Sequence, residues 1–264
     1  MDTNLIRTVL RDESIVTGII LFSGSPMIIE LAAAAGIDFV IIDMEHSPID
    51  LTSCSHLIRA AEAYRITPYV RVPETDHSLI MKLLNLGAAG IVIPHATVKN
   101  CTAALRAARY APDGDRGACA IVRSTGYRPG EWGKHIRSAN DRVAVIPLLE
   151  SLDAIQDLDA LCMIDGLDVF FVGPTDLSID LGVPGATFDE PKMSSTLDKI
   201  IATARCHGKG VMTTIGNRLE PNYAQNVLAR GVRFLVLGTD GHLFLDICLR
   251  MNAVKKPLCA NKES

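Results

Sequence analysis

The chain holds 264 residues, with 26 Lys+Arg against 30 Asp+Glu for a formal charge of −4, and 48% of its residues are hydrophobic. That apolar content excludes intrinsic disorder, and an isoelectric point of 6.0 argues against a nucleic-acid or anionic-membrane surface, which needs clustered positive charge. Its longest apolar runs are broken by Glu30 or Asp38, well short of the roughly 20 residues of a membrane span.

From the first residue onward, MDTNLIRTVLRDES carries acids where a secretory signal would be basic, so a cytoplasmic location is expected. Short β-branched runs then alternate with amphipathic stretches. The runs are Ile15–Leu21, Phe39–Ile42, Pro68–Arg71, Gly90–Ile93, Val143–Leu149, Val169–Val172, Gly210–Thr213 and Phe234–Leu237. They are continuously apolar, as parallel strands covered on both faces are. Between the second and third, Leu51, Cys54, Leu57/Ile58, Ala61 and Tyr64 recur at helical spacing. Leu79/Ile80, Leu83/Leu84 and Leu86 do the same before Gly87 stops them. Eight such units with no linker predict one (β/α)8 TIM barrel over residues 1–264, ending in a short polar tail at 254–264. A doubly wound sheet is the rival, but no phosphate-binding glycine loop follows an early strand. Residues 109–142 form a long Gly- and Arg-rich insertion, expected as a functional loop at the top of the barrel. The seven cysteines are scattered without a C-x-x-C pair, which opposes a disulfide framework or thiolate zinc site and predicts mostly buried thiols.

In a barrel the chemistry gathers at the C-terminal ends of the strands, so the polar residues just after each run are the informative ones. Asp43-Met-Glu45-His46 follows the second strand, Arg71 ends the third and Pro94-His95 follows the fourth. Glu150 follows the fifth and Gly173-Pro-Thr175-Asp176 the sixth. Glu150 and Asp176 form a candidate hard-cation site suited to Mg²⁺ or Mn²⁺; the bland alternative is that Glu150, Thr175 or Asp176 simply caps a helix. Arg71 offers a planar fork to a carboxylate or enolate oxygen, or else pairs with Asp43 or Glu45. His46 is the candidate acid/base, while His95 reads as a wall residue, and His56, His77, His135, His207 and His242 as helix or loop residues. Gly173 frees the backbone for close approach of an anion. No lysine sits at a strand end, so no Schiff base is expected.

These residues lie within AAAAGIDFVIIDMEHSPID, YVRVP, LLNLGAAGIVIPH, ARYAPDGDRG, VIPLLES and DVFFVGPTDLSIDLGVPG. Over about residues 5 to 250 these motifs resemble the HpcH/HpaI family of metal-dependent (class II) pyruvate aldolases, which includes 4-hydroxy-2-oxoheptanedioate and 2-dehydro-3-deoxyglucarate aldolases. The resemblance implies a carbon–carbon lyase that cleaves a 4-hydroxy-2-oxo acid to pyruvate and an aldehyde through an enolate held at a divalent metal (Mg²⁺, Mn²⁺ or Co²⁺). It makes Glu150 and Asp176 the metal ligands and Arg71 the contact to the keto or enolate oxygen. His46 becomes the acid/base group, supported by Asp43 and Glu45, and the backbone at Gly173, Thr175 and Asp176 the carboxylate receiver. It also implies a homo-oligomer, a hexameric trimer of dimers with the last helix exchanged between subunits. Arg123 in the insertion is a candidate for the distal end of an acidic substrate, whereas Arg116 reads better as an ion-pairing loop residue.

Two positions depart from the family pattern. Asn85 stands where many members carry an Asp associated with the acid/base histidine, and Leu148 where some carry a Gln two residues before the ligand glutamate. The first leaves room for changed chemistry. Two other readings therefore stay open: a citrate-synthase-like condensation of acetyl-CoA with oxaloacetate or cleavage of a CoA thioester, and a metabolite-binding barrel without turnover.

Overall fold

The computed structural model describes residues 4–216 and 218–260. Eight parallel strands close into a barrel in sequence order, each bonded to the next and β8 to β1. They are β1 (Val16–Leu21), β2 (Phe39–Asp43), β3 (Thr67–Arg71), β4 (Gly90–Ile93), β5 (Ala144–Leu149), β6 (Val169–Val172), β7 (Gly210–Thr214) and β8 (Phe234–Thr239). The helices are α1 (Leu5–Asp12), α2 (Pro26–Ala34), α3 (Leu51–Ala63), α4 (His77–Leu86), α5 (Val98–Ala108) and α6 (Trp132–Arg142). They continue with α7 (Leu152–Gln156), α8 (Leu158–Cys162), α9 (Pro174–Asp180), α10 (Pro191–Cys206), α11 (Pro221–Ala229) and α12 (Asp240–Ala260). The expected barrel is therefore present, with each strand within two residues of its apolar run. The tail expected from 254 is helical as far as Ala260, and 261–264 lie outside the described residues.

Residues alternate between two cores, because successive side chains on a strand point to opposite faces. Phe39, Ile41, Tyr69, Val92, Ile146, Leu148, Val169 and Phe171 fill the barrel, where Phe39 and Tyr69 meet edge-on at 5.8 Å. Ile6 and Val9 of α1 plug its N-terminal end. Val40, Ile42, Val70, Val145 and Val172 instead face the helix ring, against Leu57, Ile58, Leu83 and Leu105. Helix α4 stops where the repeat ended, at Gly87, whose φ of 107° is left-handed and accessible to glycine at little cost.

The 109–142 insertion contains a 3-10 turn (Arg123–Thr125) and α6. It joins a helix to a strand, α5 to β5, and so emerges at the N-terminal face of the barrel rather than at the top as expected. Thiol burial is mixed: Cys54, Cys101 and Cys162 are buried, and Cys119, Cys206 and Cys248 exposed. Among the described residues, no helix is long and apolar enough to cross a membrane.

Candidate active site

The alternation that builds the barrel interior also aims the site. On β2, Phe39 and Ile41 point inward and the same phase carries Asp43. On β3 it carries Arg71 after Tyr69, and after β5 it carries Glu150 beyond Ile146 and Leu148. Asp43 and Arg71 are register partners on neighbouring strands. Their side chains meet fork to fork, Arg71 Nε donating to Asp43 Oδ1 at 3.1 Å and Nη2 to Oδ2 at 2.5 Å. Arg71 Nη1 lies 3.2 Å from Glu45 Oε2. The pairing weighed for Arg71 is thus real; three of its five N–H groups face carboxylates and two remain. Burial works against the Arg71 charge, yet its Asp43, Glu45 and Glu150 neighbours leave the guanidinium more firmly protonated than usual.

Asp43 is fully buried. Its Oδ1 also accepts from the backbone N–H of Glu45 at 2.8 Å and of His46 at 3.3 Å, which pins the loop carrying the histidine. His46 is exposed, its Nε2 3.6 Å from Glu45 Oε2.

Glu150 is 5% exposed, and its Oε1 accepts from the His95 backbone N–H at 2.7 Å. The His95 ring lies alongside, Nδ1 3.1 Å from the same oxygen and Nε2 3.9 Å from Glu45. Burial pushes the Glu150 carboxyl above the usual range, His95 opposes this, and the neighbouring charges of Glu45 and Asp176 push it further up. Three carboxylates therefore crowd one mouth of the barrel. Gly173 leaves room there: a Cβ would sit 3.4 Å from Glu150 Oε2 and 3.2 Å from its Cβ.

The capping alternative fails for all three residues. Ser151, not Glu150, caps α7 through its hydroxyl, and α9 has Gly173 at its N-cap with no side-chain cap from Thr175 or Asp176. Both sit exposed in the first turn of α9, over the mouth. Among the described residues no group of three or more His, Cys, Asp or Glu forms a ready cage. The donor set still fits a hard cation, since two carboxylates with open positions leave it to complete its shell with water and substrate oxygens.

The strand-end residues Asp43, Arg71, Glu150, Gly173, Thr175 and Asp176 thus come together, with His46 on the adjoining loop. Arg123 does not join them. In this chain it pairs with Glu62 and donates to the Leu86 carbonyl, at the opposite end of the barrel, because the insertion follows a helix. Asn85 lies at that same end, accepting from Arg116, since α4 runs away from the mouth; within one chain it cannot support His46. Leu148 points into the apolar interior. His95, expected as a wall residue, lies directly against Glu150. Its position after β4 was visible, but not its left-handed φ of 47° or its grip on Glu150, which is held from below by Asn100 Nδ2 donating to the His95 carbonyl at 2.9 Å.

Fold and site together define a (β/α)8-barrel enzyme with a carboxylate- and arginine-lined mouth. The family model for HpcH/HpaI aldolase/citrate lyase matches residues 17–246, and the chain belongs to that family. It is 32% identical over 254 residues to a 2-keto-3-deoxy-L-rhamnonate aldolase of Klebsiella pneumoniae, covering 95% of this chain and 92% of the relative. To a hydroxypyruvate/pyruvate aldolase of Cupriavidus necator it is 30% identical, covering 95% and 91%. Among solved structures it is similar to an HpcH/HpaI aldolase from Desulfitobacterium hafniense, with a TM-score of 0.87, 27% identity and coverage of 96% and 97%. The citrate synthase SbnG is also similar, with a TM-score of 0.83, 30% identity and coverage of 96% and 98%. Aldolase-named relatives along almost the whole chain make this protein a carbon–carbon lyase.

Proposed function

We propose that the protein is a divalent-metal-dependent aldolase of the cytoplasm, reversibly cleaving a 4-hydroxy-2-oxo acid to pyruvate and an aldehyde. The observation that carries the reading is the meeting of Glu150, Asp176 and Arg71 at one barrel mouth, free of the capping roles that would otherwise explain the acids. Glu150 and Asp176 would hold Mg²⁺, Mn²⁺ or Co²⁺. When bound, such a cation supplies Lewis-acid polarisation of a 2-oxo acid.

The chain's own groups divide the remaining work. Arg71, oriented by Asp43, turns its two remaining N–H donors towards the oxygen on which enolate charge develops, a preorganised electrostatic contribution. Asp43 is saturated with hydrogen bonds and acts by positioning. The backbone N–H groups of Thr175 and Asp176, in the first turn of α9, lack intrahelical acceptors and receive the substrate carboxylate beside the space left by Gly173. His46 takes the proton of the C4 hydroxyl on cleavage and returns it on condensation. The names of the two relatives fit a 2-keto-3-deoxy sugar acid, or hydroxypyruvate in place of pyruvate, as substrate. A hexamer with α12 exchanged between subunits accords with the exposed apolar residues Phe244, Leu245, Ile247 and Met251 on that helix.

The test is proton NMR of pyruvate in D₂O with the purified protein and Mg²⁺ or Mn²⁺, with and without EDTA. Metal-dependent loss of the methyl signal is expected. Absence of exchange with every divalent metal would overturn the reading, and release of CoA from acetyl-CoA and oxaloacetate would replace it with the condensation reaction.

A further inference from the structure

The turn between β4 and α5 is tied to β5 at two successive residues. The Ala96 N–H donates to the Leu148 carbonyl at 3.2 Å, and the His95 N–H to Glu150 Oε1 at 2.7 Å. His95 makes its bond from a left-handed backbone, φ 47°, which a residue with a side chain adopts rarely and keeps only where its surroundings over-determine it. Asn100, in the first turn of α5, supplies that support. Its Oδ1 accepts from the Thr97 N–H at 2.8 Å and its own N–H donates to Thr97 Oγ1 at 3.1 Å, closing the capping box of the helix. Its Nδ2 meanwhile donates to the His95 carbonyl at 2.9 Å. One amide braces the helix start and the turn together.

The ring completes the hold on Glu150. Nδ1 lies 3.1 Å from Oε1, the oxygen that already takes the backbone N–H, and Nε2 lies 3.9 Å from Glu45 Oε1. Glu45 is engaged on its other oxygen by Arg71 Nη1, 3.2 Å from Oε2. His95 thus gathers its contacts on one oxygen of Glu150. The other, Oε2, borders the space beside Gly173, where an added Cβ would sit 3.4 Å from it. A free carboxylate can rotate, or coordinate through both oxygens; one held at Oε1 cannot turn without breaking that hold.

We propose that His95 is a positioning residue for the cation site: by holding Oε1 it fixes the Glu150 carboxylate with Oε2 presented to the metal, and so sets the metal affinity of the mouth. The inference rests on the metal-dependent reading above. Removing a group that hydrogen-bonds to a metal ligand typically weakens metal binding about 10–100-fold.

Titration of the full chain with Mn²⁺, followed by the electron paramagnetic resonance of the free ion, reads that affinity without turnover. The His95 side chain is 74% exposed, so replacing it opens no cavity. His95→Gly keeps the backbone N–H, removes the ring and loosens the turn; its Mn²⁺ Kd is expected to rise about tenfold or more. His95→Asn keeps a residue suited to the left-handed backbone and a short amide donor, and is expected to recover most of the loss. Asn100→Asp keeps the acceptor for Thr97 but loses the donor to the His95 carbonyl. Its added negative charge would by itself strengthen cation binding, so a weaker affinity there reports lost positioning. The metal-free melting temperature, measured alongside, is expected to stay near wild type; a purely structural role would lower it and leave the Mn²⁺ Kd of the folded protein unchanged. Wild-type Mn²⁺ affinity in both His95→Gly and Asn100→Asp would overturn this inference alone. No Mn²⁺ binding by the wild type would overturn the metal-dependent reading and this inference with it.

Discussion

Glu150 carries two opposing demands. To hold a cation as proposed it must be ionised, yet burial first, and then the neighbouring charges of Glu45 and Asp176, raise its proton affinity in the folded chain. A carboxyl that binds its proton more tightly folded than unfolded has its full stability contribution below the unfolded value of about 4.3. That contribution is lost as pH rises through the higher folded value. Glu150→Gln keeps an acceptor for the His95 N–H and removes the charge. The metal-free variant is therefore expected to melt above the wild type at pH 7 and to converge with it near pH 4, as thermal scans across that range would show. Pyruvate proton exchange should fall at least about 10²-fold in the same variant, on the scale of losing one preorganised electrostatic contact. The Asp43–Arg71 pair behaves differently, since both groups are buried and satisfied by each other. Asp43→Asn would leave the guanidinium without its matching fork, and urea unfolding should show a loss of about 3–5 kcal/mol.

At the scale of elements, strand phase is the organising fact. Each inward position one step beyond the apolar interior becomes a mouth residue, and so Asp43, Arg71 and Glu150 follow Ile41, Tyr69 and Leu148 to the mouth. This much was legible along the chain, because a polar residue after an apolar run marks a strand end, and the convergence of several such ends needs only the barrel. Less legible were the parts that depend on which way an element exits. Arg123 carries the right chemistry for a substrate site but follows α5, and Asn85, at the position tied by resemblance to the acid/base histidine, lies at the end of α4; the far ends of both helices lie at the N-terminal face. His95 was readable as a strand-end residue, but not as a clamp on Glu150, which depends on its backbone turning left-handed. Strand packing offers its own test. A Cβ on Gly18 of β1 would come within 2.2 Å of the Phe39 ring, and Phe39 is fixed in the interior against Tyr69. Gly18→Ala is therefore expected to cost about 1–3 kcal/mol of stability in denaturant unfolding, with the mouth residues left in place.

For the whole molecule, charge is concentrated at the C-terminal mouth, which gathers Asp43, Glu45, Glu150 and Asp176 around Arg71. A divalent cation that binds only the folded mouth should raise the melting temperature. At a hundredfold excess over its Kd the gain is about 2.7 kcal/mol, or roughly 5 °C or more for a chain of this size. Differential scanning calorimetry with and without EDTA would show it, and Glu150→Gln should remove most of the shift.

The sequence by itself determined the barrel, the strand ends and the chemistry available at them, because apolar periodicity and strand-end polarity are local properties that neighbouring residues fix. Tertiary structure decided what each of those residues touches. It paired Arg71 with Asp43, set His95 against Glu150, freed Glu150 and Asp176 from capping duties, and sent the arginine-rich insertion to the far end. Those outcomes rest on strand register and on the direction in which each helix returns, which arise only when the sheet closes on itself.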